Sequence, residues 1–263
     1  MDFYTLASSS GGNAALLRFG ETAVLLDAGI SARRIRQTLG RLGMTPDELS
    51  AVLVTHEHTD HVSGVATLTK QYNTPVYASR GTARALRCAG DTLRAFDAGD
   101  SFAVGALTIR SFRTSHDAAD SVDYRVDAPD GSFGALTDTG FVTDAAAEAL
   151  AGVDLLLLEA NHDIETLRNG RYPYHLKQRI LGKYGHLCNE AAADFALYCA
   201  QRGTRDILLA HLSAENNTPA MAEYAVARRL QAGGFSIRLS VAPKDRMSDL
   251  HEVTSCKRSP SFA

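Results

Sequence analysis

Short apolar, often β-branched runs recur between glycine, aspartate and proline punctuation at residues 14–19, 22–26, 51–55, 107–112, 132–136, 155–158 and 207–210. Runs of this length and composition predict strands. Longer alanine- and leucine-rich stretches lie between them, at 32–42 behind the cap Ser31, and at 62–72, 82–89, 144–151, 190–202 and 219–232. These predict helices. The early strands follow one another directly and the later ones alternate with helices, which calls for mixed sheets with helices on the outer faces of an α/β fold. No repeat, low-complexity tract or proline/serine linker interrupts residues 1–250, so one domain is expected there. From His251 the periodicity gives way to HEVTSCKRSPSFA, which reads as a flexible tail over 251–263.

Composition narrows what such a domain does. With 263 residues, 45% of them hydrophobic and 22% charged, the chain can bury a core, and wholesale disorder is excluded. A net charge of −3 gives no whole-molecule attraction to nucleic acid or anionic membrane, so any such binding needs a local patch. Cys88, Cys188, Cys199 and Cys256 form no CxxC pair and are too few for a disulfide scaffold, which fits a reducing compartment. Met1-Asp2-Phe3-Tyr4 places no basic segment ahead of an apolar run, and no stretch of about 18 apolar residues occurs. A cytoplasmic protein that neither spans nor crosses a membrane is expected.

Directly after the strand at 51–54 stands Thr55-His56-Glu57-His58-Thr59-Asp60-His61, with three imidazoles and a carboxylate in a strand-to-helix loop. Neutral imidazole and carboxylate are the preferred ligands of zinc and related divalent ions, and a turn can aim alternate side chains at one point. A metal site is the economical reading. A polar loop with incidental histidines explains one such residue, but not this spacing.

These residues resemble the HxHxDH signature of the metallo-β-lactamase fold superfamily. The resemblance implies a four-layer αββα sandwich with its metal site at one sheet edge. It extends to Asp27, His116, Asp138 and His211, each of which follows an apolar run in the sequence. Carried over, His56, His58 and His116 hold one divalent ion, Asp60, His61 and His211 hold a second, and Asp138 bridges both. Asp27 orients a ligand imidazole through its other ring nitrogen. Two such ions, zinc or manganese, activate a bridging water beside Asp60 and Asp138, so the implied reaction class is hydrolysis. No cysteine stands near the ligand positions, and the Asp60-His61 pair suits a binuclear phosphodiesterase better than a zinc β-lactamase.

A closer resemblance is to the YycJ/WalJ group of this superfamily. It rests on Leu6-Ala7-Ser8-Ser9-Ser10-Gly11-Gly12-Asn13, Leu26-Asp27-Ala28-Gly29-Ile30-Ser31, Leu158-Glu159-Ala160-Asn161-His162-Asp163, Tyr172-Pro173 with Leu176-Lys177-Gln178-Arg179, Gly185-His186-Leu187-Cys188-Asn189, and the segment from His211 to Asn217. Membership implies a metal-dependent exonuclease that degrades duplex DNA from the 5′ end. Cys188 departs from the group, where a serine is expected.

The residues add modest support for a DNA partner. Arg168, Arg171, Lys177, Arg179 and Lys183 face only Glu165 in their segment, a basic strip in an otherwise slightly acidic chain. Lys177, Arg179 and His186 are therefore candidate phosphate contacts. Ser9, Ser10 and Asn13 offer hydroxyls and an amide to a terminal phosphate, though a glycine-bearing hairpin loop accounts for them equally. Arg33, Arg34, Arg36 and Arg41 are as well explained by a solvated helix face, and His162 and His175 carry no assignment. Competing readings are a glyoxalase-type thioester or ester hydrolase, an RNA-processing nuclease and, last, a non-catalytic metal-binding regulator.

Overall fold

The computed structural model describes residues 1–86 and 90–255. One seven-stranded sheet contains β1 (Asp2–Ala7), β2 (Ala14–Phe19), β3 (Thr22–Leu26), β4 (Ala51–Leu53), β5 (Val76–Ser79), β6 (Leu93–Phe96) and, from the other end of the chain, β14 (His251–Glu252). Their order is β14-β1-β2-β3-β4-β5-β6. A second seven-stranded sheet contains β7 (Ser101–Val104), β8 (Leu107–Arg113), β9 (Val122–Ala128), β10 (Gly131–Leu136), β11 (Leu155–Glu159), β12 (Asp206–Ala210) and β13 (Arg238–Val241), in sequence order. Each sheet is antiparallel up to β3 or β10 and parallel beyond it. Parallel strands need crossovers, and these carry helices onto the outer faces.

The layering follows from the period of two along each strand. In β11, Leu155 and Leu157 turn into the core between the sheets, with Phe3, Leu53, Tyr124 and Phe133. Leu156 and Leu158 turn outward against α5 (Asp144–Leu150), α8 (Asn189–Ala200) and α9 (Pro219–Ala232). In β3, Val24 and Leu26 face the inter-sheet core, while Ala23 and Leu25 pack with Ile35 and Leu39 of α1 (Ala32–Arg41) and Val65 and Leu68 of α3 (Val65–Tyr72). Strands buried on both faces read as unbroken apolar runs, and each leucine so buried stabilises the fold by about 1.5–3 kcal/mol. The result is the expected αββα sandwich.

The structure departs from the sequence reading in several places. The single helix expected at 62–72 is divided into α2 (Thr59–Val62) and α3. Gly64 separates them, and a Cβ there would stand 2.5 Å from the Ile30 carbonyl oxygen. The helix expected at 82–89 is α4 (Arg80–Ala85), and residues 87–89, Cys88 among them, lie outside the described residues. Two short helices, α6 (Ile164–Asn169) and α7 (Tyr174–Leu181), occupy the basic strip. The tail expected from His251 is corrected: β14 pairs with β1 through Asp2–Glu252 and Phe3–His251, and His251 and Val253 are buried. Residues 256–263 lie outside the described residues. Among the described residues no helix is long and apolar enough to cross a membrane.

Candidate metal centre

The carboxyl ends of the parallel strands from both sheets converge at one edge of the sandwich, the usual ligand crevice of such sheets. Asp27 follows β3, the 55–61 loop follows β4, Asp138 follows β10 and His211 follows β12. Asp27, Asp138 and His211 all have left-handed backbones, with φ of 58°, 50° and 54°. Non-glycine residues pay steric strain in that region, and its concentration here marks a functional edge. Gly29 is required for a different reason: a Cβ would fall 1.6 Å from the Asp60 carbonyl oxygen, so only glycine lets the two loops meet.

Hydrogen bonds set the ring orientations. Thr55 donates its backbone N–H to Asp27 Oδ1 at 2.8 Å and its hydroxyl to Asp27 Oδ2 at 2.9 Å. That hydroxyl has one proton to give, so the 3.0 Å contact with His56 is a bond donated by Nδ1–H. His61 Nδ1 lies 2.7 Å from Asp27 Oδ2, His116 Nδ1 3.2 Å from the Gly185 carbonyl, and His211 Nδ1 2.9 Å from Glu159 Oε1. Four imidazoles thus have Nδ1 engaged and Nε2 left for the interior. His61 Nε2 is 3.1 Å from Asp138 Oδ2 and 3.6 Å from Asp60 Oδ2, and His211 Nε2 is 3.8 Å from the latter.

Two overlapping sets of donors result. One nitrogen from each of His56, His58 and His116 falls within 4.8 Å of the others, and so do the ligand atoms of Asp60, His61 and His211. Asp138 reaches both sets, standing in one group with His56 and His61 and in another with Glu159, His186 and His211. His56 Nε2 and His211 Nε2 are buried without a hydrogen-bond partner, which a structural histidine avoids and a cation would satisfy. The nitrogen-and-carboxylate donor set fits zinc or manganese.

The electrostatics fit cation binding. Burial, reinforced by His61, holds His56 well below the usual imidazole range, leaving it neutral. Burial opposes a charge on His211, but Asp138, Asp60 and Glu159 outweigh it and raise the value to about 10. Burial likewise opposes the Asp138 carboxylate, yet His211 and His61 hold it well below the usual range.

The seven expected ligands are therefore brought together, and Asp27 stands behind His61. Glu159 was missed by sequence reasoning. Fully buried, it accepts from His211 and His186 and from the backbone of Thr139 and Leu187 at 3.2 and 3.1 Å, so it serves the second sheet as Asp27 serves the first. Its signal was an acid closing the leucine run of β11. Asp123 was also missed; its Oδ2 accepts from Thr137 N at 2.8 Å and fixes the turn before Asp138. Burial pushes that carboxyl up to about 8.

The expected phosphate contacts divide. His186 lies in the centre, with Nδ1 2.8 Å from Glu159 and 3.4 Å from Asp138. Asn13 Nδ2 stands 3.2 Å from His61 Nε2. The Ser9 hydroxyl closes its own loop on Gly11 N, and Ser10 is exposed at the loop tip. Arg179 pairs through both nitrogens with Asp117, beside His116. Lys177 donates its ammonium to the Arg168 and Gly170 carbonyls at 2.7 Å, tying down the end of α6. His175 is exposed, and His162 is buried with its value lowered to about 4, chiefly by desolvation.

The profile described as the beta-lactamase superfamily domain matches residues 22–212. The chain is 37% identical over 251 residues to the exodeoxyribonuclease WalJ of Streptococcus pneumoniae, covering 93% of each chain. It is 36% identical over 242 residues to the exodeoxyribonuclease YycJ of Bacillus anthracis, covering 90% of this chain and 92% of that one. In fold it is similar to the metallo-β-lactamase fold protein YhfI of Bacillus subtilis, at a TM-score of 0.73 and 17% identity over 95% of this chain and all of that one (100%). On this fold, this cluster and these relatives, the chain belongs to the metallo-β-lactamase fold superfamily, within the group that contains YycJ and WalJ.

Proposed function

We propose that this chain is a metal-dependent phosphodiesterase that degrades double-stranded DNA from the 5′ end in the cytoplasm, using two divalent ions, zinc or manganese. The observation that carries the reading is the 37% identity along 93% of a protein named as an exodeoxyribonuclease. Its physical support is the convergence of seven ligand side chains on one sheet edge.

In this reading His56, His58 and His116 would hold one ion and Asp60, His61 and His211 the other, with Asp138 within reach of both ligand sets. Bound divalent ions supply electrostatic stabilisation of the phosphoryl oxygens and an activated water. The protein's part is positioning. Asp27 and Glu159 lock the rings of His61 and His211. Asp60 and Asp138 accept hydrogen bonds from the attacking water and orient it. Asn13 Nδ2 offers a donor to a phosphate oxygen beside His61.

The rim favours a nucleic acid over a small thioester. Phe141 and Tyr184 are 47% and 52% exposed, on segments three residues after Asp138 and two before His186. Exposed aromatics beside cations stack bases; Lys183 Nζ lies 4.7 Å from the centre of the Tyr184 ring, and Arg179 is half-exposed on Asp117, which also neighbours His116.

The test is metal-reconstituted protein incubated in parallel with duplex DNA, single-stranded DNA, RNA and a thioester, with and without EDTA. EDTA-sensitive turnover greatest on duplex DNA supports the proposal. Preference for the thioester contradicts it.

A further inference from the structure

The loop from Thr55 to His61 holds one acid that takes no part in the ligand sets. Glu57 stands between His56 and His58, yet it belongs to none of the donor groups. Both of its carboxylate oxygens are engaged elsewhere. Oε1 accepts from Ala119 N at 2.7 Å, and Oε2 accepts from the Thr82 hydroxyl at 3.3 Å. Thr82 is fully buried in α4, which packs beside β5 and β6 of the first sheet. Ala119 lies three residues after His116, in the loop between β8 and β9 of the second sheet.

That second loop is irregular over residues 114–121 and is anchored at its two ends. At its start, Ser115 N donates to Thr139 Oγ1 at 3.0 Å and the Ser115 hydroxyl to the Lys183 carbonyl at 2.7 Å, both in the second half of the molecule. At its end it leans on the first half, where the Ser79 hydroxyl donates to the Asp120 carbonyl at 2.6 Å and Gly81 N to Asp120 Oδ2 at 3.3 Å. Between the anchors lie His116 and Asp117, the latter paired with Arg179. Among the described residues, Glu57 is the only side chain of the 55–61 loop that hydrogen-bonds into this segment. The set of His56, His58 and His116 takes two imidazoles from one sheet and one from the other, so its spacing depends on how these two loops meet. A carboxylate accepting a backbone N–H makes a strong, directional tie, and contacts standing behind ligands set metal affinity.

Resting on the two-ion reading above, we propose that Glu57 is the positioning residue of the first ion's site, pinning the His116 loop against the loop of His56 and His58. The other set does not depend on it, because His61 is held by Asp27 and His211 by Glu159. Each ligand set thus has carboxylate supports of its own, and the two sites can be weakened separately.

The experiment titrates metal-free protein with zinc against a chromophoric chelator, for the wild type, Glu57→Ala, Glu57→Gln, His116→Ala and Glu57→Ala/His116→Ala. Circular dichroism melts without metal run alongside. The wild type should take up two ions. Glu57→Ala should weaken one of them about 10–100-fold and leave the other in place, as His116→Ala also should. The double variant should add little to His116→Ala, since both changes strike the same site. Glu57→Gln, whose amide oxygen still accepts from Ala119 N and whose amide nitrogen can donate to Thr82, should keep both ions. Two unaltered ions in Glu57→Ala, equal weakening of both, loss of its fold, or a glutamine variant as weak as the alanine one overturns the proposal. A wild-type protein that takes up a single ion overturns the two-ion reading itself, independently of the variants.

Discussion

At the scale of single residues, the centre works because two buried carboxylates aim histidines they do not share: Asp27 holds His61, and Glu159 holds His211 and His186. Asp27→Asn and Glu159→Gln should each cost about 10–100-fold in metal affinity, since such supporting contacts typically carry that much. Competition with a chromophoric chelator measures it, and circular dichroism should show the fold retained. Asp138→Asn should abolish turnover and lower metal content together, because an amide replaces the negative charge common to both ligand sets. Protons compete for the same nitrogens. His211, raised to about 10 by Asp138, Asp60 and Glu159 against the opposing effect of burial, holds a proton at neutral pH in the metal-free protein. A cation must displace that proton, so metal uptake should release protons and apparent affinity should rise with pH. Calorimetry in buffers of differing ionisation enthalpy reads the release. His56, His58, Asp60 and His61 were legible because imidazole clustering is rare, whereas His116, Asp138 and His211 stand singly after apolar runs and were legible only through the family resemblance. Glu159 was not, because an acid closing an apolar strand has the same composition whether it caps a turn or orients a ring.

At the scale of elements, the basic strip separates into structural and functional parts that composition alone could not divide. Lys177→Ala removes two charge-assisted bonds to carbonyls at the end of α6, and should lower stability by about 1–2 kcal/mol with little change in DNA affinity. Arg179→Ala should instead reduce the slope of log affinity against log salt by about 1, if its guanidinium leaves Asp117 for phosphate. Chemical denaturation and salt titration distinguish the two. Cys188 stands at the N-cap of α8, where its thiol accepts from Ala191 N at 3.5 Å. A hydroxyl is the stronger acceptor, so Cys188→Ser should raise stability by roughly 0.5–1 kcal/mol, visible as a higher Tm. The helices at 219–232 and 144–151 were legible from their long alanine- and leucine-rich runs, whereas β6 and β7 were not. Those strands are four residues long, with polar or exposed residues on their outer faces, too short for an alternation to register.

At the scale of the whole molecule, two half-sandwiches of matching strand order meet so that one edge collects acids and imidazoles from both. The first supplies Asp27 and the 55–61 loop; the second supplies His116, Asp138, Glu159, His186 and His211. The chain closes this arrangement on itself, because β14 seats His251 and Val253 beside β1, a pairing that the polar composition of the C-terminal segment concealed. The similarity to the exodeoxyribonucleases runs along 93% of the chain and so includes both halves of the site. The most direct measurement is digestion of duplex DNA labelled at one end by metal-reconstituted protein. With the label at the 5′ end, the first labelled product should be a mononucleotide; with the label at the 3′ end, a ladder of progressively shorter strands should appear. Internal cuts alone, or the two patterns exchanged, would contradict the account.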